Sequence, residues 1–162
     1  MARERNILAK LEDRLRRLED RADLHDLVAA YFLAVDDDEY ETAALCFTED
    51  VHFVASGFDG DSGRDAVIAF LRSARAGMGQ TVHTPNYLQL DFVNDHEATG
   101  MLGAHLELGL GDKTYFGAVR YQDRYRRVND RWQIARREMQ AIHIAPWSEV
   151  ENLLARLVAD EL

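Results

Sequence analysis

After Gly77-Met78-Gly79 the hydrophobic period of this chain changes from 3.6 to 2, and it stays there to about residue 144. Upstream, apolar residues recur at helical spacing. Downstream they alternate in four long runs, about 81–93, 97–109, 113–127 and 131–144. The runs are separated by Asn94-Asp95, by Gly109 to Gly111 and by Asn129-Asp130, all turn formers. Long strands with tight turns make an antiparallel meander, strongly curved. Helices first and a meander after give an α+β fold, with the helices segregated on one face of the sheet. Such a sheet curls into a cone-shaped barrel around the N-terminal helices. The cavity it leaves, apolar with a few inward polar groups, suits a small hydrophobic ligand.

The helical part begins at residues 3–35. Leu8, Leu11, Leu15 and Leu18 step by 3, 4 and 3, and the heptad continues through Ala22, His25, Ala29 and Phe32. Residues 1–19 read as an N-terminal extension that packs on its own domain or on a partner subunit. Asp36-Asp37-Asp38 ends the helix, and Asp38 with Glu41 predicts a capping box for a helix at 39–47. Thr48-Glu49-Asp50 reads as a turn, Val51 to Val54 as a short strand, Gly57 to Gly63 as a hairpin or loop, and 65–76 as a helix. Pro146-Trp147-Ser148 opens a last helix, with Ser148 and Glu151 as its capping box and Val150, Leu153, Leu154, Leu157 and Val158 as its buried stripe. The organisation predicted is therefore an extension (1–19), one α+β barrel domain (20–145) and a C-terminal helix (146–162).

Composition narrows the function. The 162 residues are 47% hydrophobic and 30% charged, which excludes a disordered chain and supplies a core. The net charge is −10, and between Asp36 and Asp65 stand ten acidic residues against one basic, Arg64. That field disfavours nucleic acid and anionic membrane as partners. No apolar run reaches the ~18 residues a membrane span needs, and no signal-like segment is present, so the expected location is the cytoplasm. The single Cys46 excludes an internal disulfide and reads as a core thiol.

The residues that can carry chemistry are few. Gly-rich phosphate loops, GxSxG and HExxH are absent. Asp36 closes the apolar stretch Tyr31-Phe32-Leu33-Ala34-Val35, so that Tyr31 and Asp36 can look into one cavity; the spacing equally allows a solvated acidic turn. His83 opens a strand just before Pro85, whose missing donor marks an edge or a bulge able to re-aim a side chain; a purely structural strand histidine stays open. His105 shares a strand face with Met101, Gly103 and Glu107, and Ala104, Leu106 and Leu108 share the other. Arg137 has Ala135, Met139, Ala141 and His143 on its face, against Trp132, Ile134, Arg136, Glu138 and Ile142 on the other. Alternation does not decide which is inside, and an arginine so placed must be paired if buried. His83, His105 and a carboxylate (Asp36 or Glu107) are a conceivable metal triad, but their spacing matches no local motif, and no metal is expected. Phe32, Phe53, Phe58, Phe70, Tyr87, Met101 and Tyr121 are candidate cavity walls, or ordinary core.

Over residues 20–145 the chain resembles the SnoaL-like branch of the nuclear transport factor 2-like superfamily. The stretches concerned are Asp26 to Tyr31 with Val35-Asp36 and Ala43 to Val51, then Gly63 to Leu71, then Val82-His83-Thr84-Pro85-Asn86-Tyr87 to Val93 with Tyr125-Arg126-Arg127 and Trp132. Within that branch it is most similar to scytalone dehydratase, bile-acid 7α-dehydratase and hexachlorocyclohexane dehydrochlorinase. The resemblance implies a histidine base paired with an aspartate, which fall on His83 and Asp36. It also implies a helix tyrosine at Tyr31, a strand arginine at Arg137 and, more loosely, a second histidine at His105.

The activity implied is a cofactor-independent elimination on a small hydrophobic cyclic substrate. His83 would take a carbon-bound proton with Asp36 fixing its tautomer. Tyr31 would donate to a carbonyl gaining charge. Arg137 would hold the leaving group or balance Asp36, and His105 would assist as an acid. Phe32, Phe53, Tyr87, Met101 and Tyr121 would bind substrate. A homodimer or homotrimer is the expected assembly. Alternatives are an isomerase or polyketide-type cyclase using the same dyad, and a non-catalytic binding or assembly module built on the leucine heptad. An epoxide hydrolase would need an Asp–Arg–Asp cluster, and a second aspartate has no evident strand position.

Overall fold

The computed structural model describes residues 2–56 and 58–150, with the backbone alone for 2, 58 and 59. The Phe58 side chain, expected as a cavity wall, and the stripe from Leu153 to Val158 with its capping Glu151 lie outside what is described. Helix α1 (Ala2–Asp36) is one uninterrupted element of 35 residues, about 50 Å long. It runs through the expected boundary at 19/20 without a break. Its C-terminal half is buried through Leu24, Val28, Tyr31, Phe32 and Val35, and its N-terminal half projects. The projecting half is attached at Asp20, whose buried carboxylate takes hydrogen bonds from Arg127 and from Trp132 Nε1 (3.1 Å).

Helix α1 stops where Asp38 enters the left-handed region (φ 57°). Asp38 therefore cannot cap the next helix from the extended geometry an N-cap requires. Glu39 stands at that position without a side-chain cap, and the Asp38 carboxylate binds Tyr40 and Arg75 instead. The predicted capping box is thus not formed. Helix α2 is short (Tyr40–Leu45), and strand β1 begins at Phe47 rather than Val51. Thr48-Glu49-Asp50 is strand, not turn, because Phe47 and Val51 both bury in the core while Glu49 and Asp50 remain in solvent. Strand β2 (Phe58–Ser62) folds back on β1, and α3 (Arg64–Arg75) follows.

The meander is β3 (Met78–Phe92), β4 (Glu97–Leu110), β5 (Lys113–Val128) and β6 (Arg131–Pro146). Asn129 and Asp130, both at positive φ, make the last turn. The six-stranded sheet has the order β2-β1-β6-β5-β4-β3. All neighbours are antiparallel except β1 and β6, which are parallel. The sheet curves without closing, and its inner face wraps the C-terminal half of α1. Beyond Pro146 the backbone turns helical through residue 150. No helix among the described residues is long and apolar enough to cross a membrane.

Three irregularities set the inner face. Between β3 and β4 the register shifts at Pro85/Tyr87, leaving Asn86 as an extra residue. Thr81, His83 and Pro85 pair with Leu108, Leu106 and Ala104 before it; Leu88 and Leu90 pair with Leu102 and Gly100 after it. The buried positions thus change from odd to even numbers at this bulge. On β6 the register shifts at Arg124/Tyr125 and at Ala118/Val119, which makes Ala135 and Ile142 extra residues. Ile134 and Arg137 consequently share the inner face although strict alternation separates them, and both are fully buried.

Candidate active site

The end of α1 and the start of β3 bring Asp36 and His83 together. His83 Nδ1 lies 2.7 Å from Asp36 Oδ1, and the backbone N–H of His83 donates to Oδ2 at 2.8 Å. A carboxylate only accepts, so in the neutral ring Nδ1 carries the proton and Nε2 the lone pair. Among the described residues Nε2 has no partner. The ring stacks on Phe32 at 4.8 Å and 11°. One ring hydrogen bond and one stacking contact thus orient the imidazole, and the backbone bond holds residue 83 against the same carboxylate. The side chains are 11% and 15% exposed, so the pair sits at the rim of the apolar interior with access to solvent.

A further layer supports the aspartate. Thr81 donates to Asp36 Oδ1 at 2.7 Å, and the buried Arg75 donates to Thr81 Oγ1 and to the Asp36 carbonyl (3.3 Å). Arg75 is held in turn by Asp38. Sequence reading missed both residues. Thr81 was legible as the same-face neighbour two positions before His83; Arg75, in the last turn of an amphipathic helix, looks like any solvated arginine. Burial raises the pKa of the Asp36 carboxyl, but hydrogen bonds from His83 and Thr81, with the attraction of His83, outweigh it and hold the group below the ordinary carboxylate value. A depressed pKa contributes stability above the ordinary value that is lost as pH falls through the folded one. The stability gap between the native chain and Asp36→Asn is therefore expected to narrow as pH drops from about 4 downward, measured by urea unfolding.

Tyr31 and Arg137 belong to a second cluster deeper inside. Arg137 is 0% exposed and forms a two-pronged ion pair with Asp123, Nε to Oδ1 at 2.9 Å and Nη2 to Oδ2 at 2.6 Å. Tyr125 donates to the same carboxylate at 2.6 Å. The guanidinium lies over Tyr31 at 4.4 Å and over Tyr121 at 4.8 Å. Burial raises the Tyr31 hydroxyl above the usual phenol value, with Arg137 pulling it back. Arg137 therefore balances Asp123, not Asp36, and Asp123 is the strand aspartate that sequence reading did not place. Only Nη1 of the guanidinium is buried without a partner. Phe32 joins the clusters, stacking on His83 and tilting against Tyr121 at 5.7 Å. Phe53 and Phe70 pack together beside it. Cys46 is buried, and its thiol is pushed up to about 11 by desolvation, with Arg137 opposing.

Three expected site residues lie elsewhere. His105, Tyr87 and Met101 point to the outer face of the sheet: His105 pairs with the exposed Thr84, Met101 with the exposed Gln89, and Tyr87 follows the Asn86 bulge, where odd-numbered β3 positions turn outward. His105 is exposed, hydrogen-bonded to Asn86 and packed on Phe116. Tyr87 lies over Gly103, and Met101 edges an open polar groove of about 500 Å³ on that outer side. His105 cannot assist a reaction at His83, and the conceivable two-histidine metal triad is not assembled.

The fold can be set beside known structures. A hexachlorocyclohexane dehydrochlorinase of LinA type 3 from Novosphingobium barchaimii superposes with a TM-score of 0.78 at 19% identity, over 84% of this chain and 95% of that one. Another LinA structure gives 0.79 at 22%, over 84% and 95%. A scytalone dehydratase-like protein from Novosphingobium aromaticivorans gives 0.75 at 22%, over 82% and 90%. No curated protein matches the sequence. The model of the SnoaL-like domain matches residues 16–138, and the chain belongs to that family.

Proposed function

We propose that the protein is a cofactor-independent lyase, a dehydratase or β-eliminating enzyme, acting on a small hydrophobic cyclic substrate through Asp36 and His83. The observation that carries this reading is the stacked imidazole whose Nδ1 is hydrogen-bonded to a carboxylate and whose Nε2 has no partner among the described residues, at the rim of an apolar interior. Nε2 takes a proton from carbon. The C–H electron pair becomes the new double bond, and the leaving group departs from the adjacent carbon with its bonding pair. Asp36 stabilises the imidazolium that forms, and solvent or the departing hydroxide takes the proton afterwards. Phe32, Phe53 and Tyr121 supply apolar walls. Arg137 and Tyr31 act from behind them: Nη1 is the one guanidinium nitrogen left for a polar substrate atom that reaches this depth.

The names of the structural neighbours, a dehydrochlorinase and a dehydratase-like protein, agree with eliminations on rings. Incubation with cyclic β-hydroxy ketones and chlorinated cyclohexanes, followed by mass spectrometry, tests the reading. The expected product has lost water or hydrogen chloride. A product of unchanged mass with a displaced double bond would instead favour the isomerase alternative.

A further inference from the structure

The projecting half of α1 carries an apolar face that nothing in the described structure covers. Ile7, Leu8, Leu11, Leu15 and Leu18 are each 51–63% exposed, and Ala22, His25 and Ala29 continue the stripe in solvent. At 100° per residue this stripe is centred roughly 135° around the helix from Leu24, Val28, Tyr31 and Val35, which pack on the sheet. One helix can therefore hold its own domain and a second body together.

Spacing and charge select that second body. With Leu8 and Leu15 at a and Leu11 and Leu18 at d, the flanking e positions are Glu12, Glu19 and Asp26, and the g positions are Arg14 and Arg21. In a parallel, in-register pair of these helices, g of one faces the following e of the other, so Arg14 meets Glu19 twice by symmetry. In an antiparallel pair e meets e and g meets g, which sets glutamate on glutamate and arginine on arginine. Among the described residues Arg14 and Glu19 make no ion pair, and both are exposed. The pattern complements itself and needs no foreign sequence. Because residues 20–36 are anchored on the sheet, the helix is already nucleated, and the short leucine stretch bears no such cost.

We propose that this face is a self-association surface on which a second copy of the chain docks parallel and in register along Leu8 to Leu18, as a two-stranded coiled coil with reciprocal Arg14–Glu19 pairs. The full-length chain with Leu11→Cys tests the register, since a d position meets itself only in a parallel, aligned pair. The buried Cys46 thiol, pushed up to about 11, does not compete. Mild oxidation should give a disulfide-linked double-mass species at least about tenfold more abundant than with Asp13→Cys, on the far side of the helix. Arg14→Glu and Glu19→Arg should each weaken self-association about tenfold, and an equimolar mixture of the two should restore it. Circular dichroism checks that each variant keeps its helix. Equal cross-linking at positions 11 and 13, none at position 11, or a mixture no tighter than either variant would overturn the proposal.

Discussion

His83→Ala is expected to lower turnover by about 10²–10⁴-fold, the usual contribution of a positioned base, while the urea-unfolding midpoint stays close to that of the native chain. The fold survives because the ring lies at the rim of the interior, 11% exposed; its removal deletes the stacking contact with Phe32 and one hydrogen bond to Asp36, whose carboxylate keeps those from Thr81 and the backbone N–H of residue 83. Asp36→Asn should cost a comparable factor for a different reason. An amide can donate to Nδ1, which permits the other tautomer and turns the proton-bearing nitrogen toward the substrate. The loss should appear in kcat, since neither group is an apolar wall. Thr81→Val, which removes one hydrogen bond to Asp36, should give a smaller loss in the same direction. Near-native turnover in His83→Ala, measured on whichever substrate loses water or hydrogen chloride, would eliminate the mechanism.

The pairing of Asp36 with His83 came from the family resemblance, since spacing alone left a solvated turn and a structural histidine open; the structure brings the two side chains together at two element boundaries. Asp36 is the last residue of α1 and His83 stands early in β3, so neither depends on counting along a long strand. The order of helices and strands was legible in the sequence itself: the change of period at Gly79 is a physical consequence of side chains alternating across a sheet. What failed was parity. Tyr87 and Met101 were grouped with Phe32 and Tyr121 as walls, but the extra residue at Asn86 reverses which β3 side chains face inward, and Met101 shares its face with His105. The same kind of shift at Ala135 brings Arg137 beside Ile134 and opposite Asp123. A bulge leaves almost no mark in a sequence beyond a nearby proline, and only the one near Pro85 had such a mark.

The α2–β1 boundary failed for a complementary reason. Local rules favour Asp38 as a cap and Thr48-Glu49-Asp50 as a turn, yet tertiary partners override both. Arg75 and Tyr40 claim the Asp38 carboxylate, and the buried Phe47 draws the chain into the sheet beside β6. The first of these overrides lies next to the dyad, through Arg75. The acidic run from Asp36 to Asp38 is therefore a scaffold as much as a solvated turn: one carboxylate binds the imidazole and the next but one clamps the arginine that holds the first in place.

The largest stability effect is expected at the buried ion pair. Arg137→Met should destabilise the fold by about 3–5 kcal/mol, because it strands the Asp123 carboxylate in the core with only Tyr125 left to donate to it. Asp123→Leu should cost a similar amount by leaving a guanidinium, 0% exposed, between the rings of Tyr31 and Tyr121 without its counter-ion. The double variant Arg137→Met/Asp123→Leu should recover most of the loss, since apolar groups of similar size carry no desolvation penalty. Urea unfolding of the four proteins gives the coupling directly. Additive losses in the double variant would mean that the two charges do not stabilise each other. Recovery of stability with turnover still reduced would mean that Nη1 serves the substrate as well as the fold, because the apolar pair restores packing and cannot restore a donor.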